Sequence, residues 1–137
     1  IIGRREWVLL PEFAVPPMVA KVDTGARTSC LHAEDLQPSA DGQWLSFRTF
    51  DAGMRRDVQN CRITARKVIR NSCGVAETRY VIRTQAIFSG GLTLMLDLTL
   101  TDRRKMKCPM LLGRRAIAGF FVVDPQANYL LGKRRDF

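Results

Sequence analysis

The segment KVDTGARTSCLHA, residues 21–33, places one aspartate, Asp23, directly after an apolar run. Gly25 permits a sharp turn there and can bring a backbone N–H close to the carboxylate. Thr24 adds a hydroxyl that can brace the same loop. The segment therefore reads either as an ordinary turn that holds an acid or as a catalytic loop built around Asp23.

Outside this loop, the chain favours short strands separated by turn residues. The predicted strands are residues 7–10, 18–22, 44–50, 61–70, 80–82, 86–88, 94–100, 110–112, 120–123 and 129–131. The first two suggest a hairpin, residues 94–100 alternate most regularly, and residues 35–42 have loop composition. Residues 114–119 suit one short helix, closed by Gly119. This spacing predicts an all-β barrel or sandwich, in a single domain over residues 1–137.

The overall charge restricts the partners that the chain can bind. Its 137 residues include 22 Lys and Arg against 13 Asp and Glu, a net charge of +9. This charge favours an anionic partner, although a basic surface can also serve solubility alone. The basic residues are scattered and no nucleic-acid motif accompanies them, so we expect no nucleic-acid partner. No membrane span is predicted. We expect a cytoplasmic protein, or a periplasmic one if a leader has been removed.

The thiols and the imidazole make a poor metal site. The chain has four cysteines, Cys30, Cys61, Cys73 and Cys108. No two of them have metal-ligand spacing and His32 is the only histidine, so we expect no metal and no other cofactor. Reduced thiols are the default, and one disulfide is the alternative in an oxidising compartment. Ser29 and Cys30 are weak candidates as nucleophiles, because only His32 on the same segment could activate them.

Large apolar residues followed by Gly and Arg occur in the segment MLLGR, residues 110–114. With the Asp-Thr-Gly-Ala loop, it resembles the retropepsin-like aspartic proteases, in which such a segment packs beneath the catalytic loop and leads into a helix. From REWV, residues 5–8, to YLLG, residues 129–132, the chain looks like the bacterial family labelled ATP-dependent zinc protease, also described as retropepsin-like. The residues support neither word of that label, since HExxH and GxxxxGK[ST] are both absent. The resemblance implies a closed retropepsin-like barrel with one short helix after LLGR.

The resemblance also implies an aspartic endopeptidase acting on a peptide or protein. Such enzymes use two carboxylates about 3 Å apart that share a proton, and this chain has one copy of the motif. A homodimer would supply Asp23 twice, with Thr24 bracing the paired loops and Gly25 exposing its backbone to the substrate. Ala26 and Arg27 would contact the substrate beneath a flap over residues 67–77. The tip of that flap, also expected to bind substrate, is Asn71, Ser72, Cys73 and Gly74.

One position departs from the family pattern. Retroviral relatives carry a second acid four residues after the catalytic one, which pairs with the arginine after the glycine, but here that position is Arg27. An Arg27–Arg114 pair would repel. Either Arg114 finds another acid, such as Asp124 or Glu34, or the subsite gains positive charge. The second outcome fits an acidic or glutamate-rich substrate.

The genes that accompany this family suggest a partner. In such proteins the neighbouring gene is often an ATP-grasp glutamate ligase, which implies a functional link to a ligase of that kind. Two other functions stay open. One is a non-catalytic module that binds a peptide or polyanion on the same barrel, and the more distant one is a small basic nucleic-acid barrel.

Overall fold

The computed structural model describes residues 1–51, 54–70 and 73–137 of the chain. The strands are β1 (Arg5–Leu9), β2 (Met18–Val22), β3 (Ser29–His32), β4 (Glu34–Pro38), β5 (Trp44–Asp51), β6 (Met54–Arg70), β7 (Ala76–Phe88), β8 (Thr93–Thr101) and β9 (Met110–Leu112). The helix α1 spans Arg114–Ile117, and 3-10 turns span Pro11–Phe13 and Arg134–Asp136. Within the described ranges, no helix is long and apolar enough to cross a membrane.

Six strands close into a barrel in the order β1-β2-β9-β3-β8-β7, and β7 pairs back to β1. Two neighbouring pairs in this ring, β2 with β9 and β3 with β8, run parallel, while the others run antiparallel. β6, β5 and β4 continue the sheet outward from β7. The predicted all-β closed barrel, with one short helix directly after LLGR, is therefore confirmed.

One face of β8 lies in the barrel interior, as the alternation of residues 94–100 predicts. Leu96, Leu98 and Leu100 are at most 3% exposed, whereas Met95 is 50% exposed. Burying a leucine side chain contributes roughly 1.5–3 kcal/mol. A register slip of one residue would turn all three leucines outward, so this face fixes the register of the strand.

The sequence predicts the first hairpin correctly but divides one long strand into two. The predicted hairpin over residues 7–22 is confirmed, because β1 and β2 pair antiparallel. The predicted strands 80–82 and 86–88 are instead parts of one strand, β7, which pairs with β8 without a break over residues 81–87. Thr84 interrupts the apolar pattern but is buried with a partner, because its hydroxyl donates to Glu12 Oε2 over 2.6 Å. A satisfied buried hydroxyl leaves the strand intact.

The strands predicted over residues 120–123 and 129–131 are wrong. This part of the chain runs irregularly beside the N-terminus, where the N–H of Ile2 donates to the carbonyl of Val122 over 2.8 Å. Tyr129 has a φ of 56°, in the left-handed region that an extended strand cannot accommodate. Of the apolar residues that suggest strands here, Phe121, Val123 and Leu131 instead pack against the hydrophobic core.

Glu6 fixes this C-terminal segment to β1. Its side chain is 0% exposed and accepts three backbone N–H bonds, from Gly3 over 2.7 Å, Leu130 over 3.0 Å and Leu131 over 3.1 Å. A buried carboxylate is tolerated only when its oxygens are bonded in this way. Glu6 therefore joins the two ends of the chain to one strand of the barrel.

The loop predicted over residues 35–42 is shorter than expected, since Glu34–Pro38 forms β4. Asp35 has a φ of 53°, and the register with β5 shifts between Glu34 and Gln37. Such a bulge breaks the period of two, which explains why the sequence pattern does not reveal this strand.

Candidate active site

Two parallel strands position the loop that holds Asp23. Val22 at the end of β2 lies beside Leu112 at the end of β9, and the N–H of Asp23 donates to the Leu112 carbonyl over 2.9 Å. The N–H of Gly25 then donates to Oδ1 of Asp23 over 2.9 Å. A Cβ at residue 25 would lie 3.2 Å from the same oxygen, so glycine suits this close approach. The loop therefore presents a half-buried carboxylate in a fixed orientation.

Gly113 and Arg114 hold the loop from the other side. A Cβ at Gly113 would lie 2.5 Å from the carbonyl oxygen of Thr28, which shows direct backbone-to-backbone packing. The N–H of Gly113 donates to the buried hydroxyl of Ser29 over 3.1 Å, and the N–H of Arg114 donates to the carbonyl of Ala26 over 2.7 Å. The MLLGR segment thus packs beneath the Asp23 loop.

Arg114 does not take an acid as its partner. Its Nη1 donates to the carbonyl of Gly25 over 2.9 Å and to that of Thr24 over 3.3 Å. Among the residues that the structure describes, it forms no ion pair with Asp124, Glu34 or any other acid. The expected alternative acids are therefore wrong, because the exposed carbonyls of the loop already occupy the guanidinium. Arg27 is exposed and leaves this side of the loop positively charged.

The other predicted substrate contacts lie on two separate elements. Ala26 is half-buried beside Asp23, on the same loop. Cys73 and Gly74 are exposed at the end of the β6–β7 hairpin, which pairs up to Arg70 opposite Ala76. Asn71 and Ser72 lie outside the described residues. The structure brings residues 23–27 together, and it leaves the role of the hairpin end as a prediction.

His32 is a buried packing residue rather than a base beside Ser29 or Cys30. Its ring is 1% exposed and stacks on Phe50 with 4.6 Å between ring centroids. Nδ1 accepts the N–H of Arg103 over 2.7 Å, and burial lowers the pKa of the imidazole. With Nδ1 occupied, His32 has no free base to offer a neighbouring hydroxyl or thiol.

Neither nucleophile candidate on β3 is activated. The Ser29 hydroxyl serves as the acceptor for Gly113, as described above. Cys30 Sγ accepts a bond from Arg103 over 3.3 Å, but burial outweighs that contact and raises the pKa of the thiol. In the described part of the chain, no three His, Cys, Asp or Glu side chains are grouped so that they could hold a metal ion.

A cavity of about 450 Å³ lies beside the end of the Asp23 loop, and the sequence interpretation did not find it. Thr28 and Arg115 line it from the loop and from α1, Lys67 lines it from β6, and Asp97 lines it from the outer face of β8. These residues come from four separate segments. The one sequence feature that points to this cavity is the polar outer face of β8, and that feature does not show which other segments pack beside it.

A solved protein of unknown function from Legionella pneumophila subsp. pneumophila str. Philadelphia 1 has the same fold. The TM-score is 0.75 at 24% sequence identity, and the match covers 95% of this chain and 96% of that one. At this identity the likeness establishes the fold alone.

Curated relatives share more of the sequence. Proteins named "Probable alpha-L-glutamate ligase" from Parasynechococcus marenigrum (strain WH8102) and Shewanella pealeana (strain ATCC 700345 / ANG-SQ1) are each 39% identical, over 140 and 141 residues. The matches cover 98% and 99% of this chain but 30% and 31% of those proteins. The chain thus spans less than a third of the length of these relatives.

A family model agrees with the resemblance that the sequence motifs suggest. The model described as retropepsin-like aspartic endopeptidase RimB matches residues 1–134. The match includes the Asp23 loop, the MLLGR segment and α1, which the structure packs together. The chain therefore belongs to the RimB-like family of retropepsin-like aspartic endopeptidases.

Proposed function

We propose that the chain is an aspartic endopeptidase whose active site contains Asp23 from each of two protomers. The observation that carries this proposal is the Asp23 loop, in which the N–H of Gly25 binds the carboxylate while Leu112 and Arg114 bind the backbone of the loop that presents it. A single carboxylate is half of the pair that aspartic catalysis needs. A twofold axis through the loops would complete the pair.

In the proposed reaction, the two Asp23 carboxyls share one proton and bind a water molecule. The ionised carboxylate takes a proton from this water, whose oxygen adds to the peptide carbonyl carbon. The protonated carboxyl donates to the carbonyl oxygen. The tetrahedral intermediate then collapses and the C–N bond breaks: the protonated carboxyl gives its proton to the leaving nitrogen, and the other carboxylate takes the proton of one hydroxyl of the intermediate, so the dyad again holds one proton. Thr24 would brace the paired loops, and Gly25 and Ala26 would contact the substrate backbone.

Exposed apolar side chains at the N-terminus and after α1 offer a surface for the second protomer. Ile1, Phe120 and Val122 are 74%, 61% and 70% exposed. Phe120 follows α1, which packs against the catalytic loop, and Ile1 and Val122 flank the Ile2–Val123 bridge on its outward side. Association of two copies over this surface would remove these side chains from water. We assign the interface to them because they are large apolar side chains that a second copy would remove from water.

The substrate that we propose is an acidic, glutamate-rich peptide. The net charge is +9, and Arg27 adds an exposed cation to the loop that holds Asp23. The curated relatives are named as probable alpha-L-glutamate ligases, and a functional link to such a ligase agrees with a substrate of this kind.

The second candidate function is a module that binds acidic peptides without cleaving them. It is favoured by one observation, that the sequence contains one copy of the Asp-Thr-Gly motif, which is half of a dyad. The variant Asp23→Asn separates the two functions, because the amide keeps the shape of the side chain but cannot act as base or acid. If the chain is an endopeptidase, Asp23→Asn should abolish peptide cleavage, which is measured by mass spectrometry of the products. Cleavage that survives in Asp23→Asn would refute a dyad built on this residue.

A further inference from the structure

The cavity beside the catalytic loop has an unbalanced charge. Three cations line it, Lys67, Arg83 and Arg115, against one acid, Asp97. Arg83 Nη1 lies 3.2 Å from Asp97 Oδ1, so these two charges neutralise each other. Lys67 and Arg115 form no ion pair with any described residue. Two cations facing one cavity of about 450 Å³ repel each other, and an anion between them would turn that repulsion into attraction.

The cavity also offers hydroxyl groups. Ser29 is 4% exposed and uses its oxygen to accept the Gly113 N–H, which leaves its own proton available for donation. Thr28, which follows the catalytic loop, is half-buried at the cavity wall. Hydroxyl donors beside two cations suit a carboxylate, whose two oxygens accept several hydrogen bonds at once.

The position of the cavity connects it to the proposed peptide path. Arg115 stands next to Arg114, which holds the Asp23 loop, and its N–H donates to the carbonyl of Arg27 over 3.1 Å. Lys67 lies on β6, within the hairpin that is predicted to cover the substrate. A ligand bound here would therefore contact the barrel body and the hairpin together.

We propose that this cavity is a subsite for the carboxylate of an acidic substrate side chain, with Lys67 and Arg115 as its specificity-determining residues. The inference rests on the proposed function and deepens it, since it assigns acid recognition to residues outside the Asp23 loop. A twofold dimer carries two such cavities. The preference for glutamate should therefore occur at one substrate position on each side of the scissile bond.

The test uses peptides that differ only by Glu or Gln at a single position, scanned across the scissile bond. The readouts are kcat/KM with the wild-type protein and Kd with Asp23→Asn. The wild type should prefer Glu at one position on each side. Lys67→Gln and Arg115→Gln should each reduce that preference by roughly fivefold, as expected for a partly exposed ion pair. Lys105→Gln and Arg135→Gln, which remove exposed charges elsewhere, are the matched controls and should retain it.

Two results would overturn the subsite. One is cleavage with no Glu preference at any position, which would leave the endopeptidase intact. The other is a Glu preference that survives both cavity variants. If the wild type cleaves nothing but binds Glu peptides more tightly through Lys67 and Arg115, the subsite stands and the endopeptidase proposal fails. Free glutamate that competes as well as the peptide would also contradict a subsite for a substrate side chain.

Discussion

Replacing Glu6 tests how the C-terminal segment is held. Oε2 accepts N–H bonds from Gly3 and Leu130, and Oε1 accepts the bond from Leu131. In Glu6→Gln, the amide oxygen can retain the first two bonds, but the NH₂ group then faces the N–H of Leu131. One buried donor loses its acceptor at roughly 1–3 kcal/mol, and the remaining bonds lose their charge. We expect a loss of about 2–3 kcal/mol in the free energy of unfolding for this variant.

The assay for Glu6 is thermal and urea unfolding, with hydrogen exchange of the Leu130 and Leu131 amides as a local readout. A loss of this size corresponds to a fall in Tm of roughly 6–12 °C for a chain of this length. Glu6→Ala removes all three acceptors and should cost about 3–5 kcal/mol. Glu77→Gln, at an exposed carboxylate, should cost less than about 0.5 kcal/mol. If Glu6→Gln unfolds like the Glu77 control, the three bonds do not stabilise the segment and the reasoning is wrong.

Three further variants test the site and the packing around it. Gly113→Ala places a Cβ 2.5 Å from the Thr28 carbonyl oxygen, so it should destabilise the fold by about 1–3 kcal/mol in urea unfolding. Because the Asp23 loop would be displaced, peptide cleavage should fall roughly 100-fold. Wild-type kinetics in this variant would contradict the packing argument. Arg114→Gln removes the guanidinium hydrogen bonds to the loop carbonyls. We expect at least a tenfold fall in kcat with a small change in Tm. An unchanged kcat would exclude a positioning role for Arg114. Burial lowers the pKa of His32 from 6.5, so the unfolded state binds more protons and stability falls as the pH drops below about 6.5. His32→Gln should flatten the pH dependence of Tm in this window, and an unaltered slope would assign it to other groups.

The sequence predicts most of the barrel because most of its strands bury one face. The leucines of β8 alternate, and Gly25 and Gly113 occur where the loop needs close backbone approach. These are local requirements, so the residues that meet them stand together in the sequence. The position of Asp23 and the helix after Gly113 follow from the same short-range signals.

Other features depend on contacts between distant segments. Glu6 is an ordinary acid in the sequence, and only the fold shows that it binds the N–H groups of Leu130 and Leu131. Those bonds, with the left-handed Tyr129, explain why an apolar segment does not form the expected strand. The cavity near Arg115 was missed for the same reason, since its lining residues meet only when β6, β8 and α1 pack together.

The proposed requirement for two Asp23 side chains is tested most directly by mixing protomers. Wild-type and Asp23→Asn chains are combined in varying ratios at constant total concentration, allowed to exchange subunits, and assayed for peptide cleavage. If both carboxyls of a dimer are needed, activity follows the square of the wild-type fraction, so an equal mixture retains about one quarter of the wild-type rate. Activity that falls in direct proportion, with about one half remaining in the equal mixture, would show that one Asp23 suffices and would contradict the account.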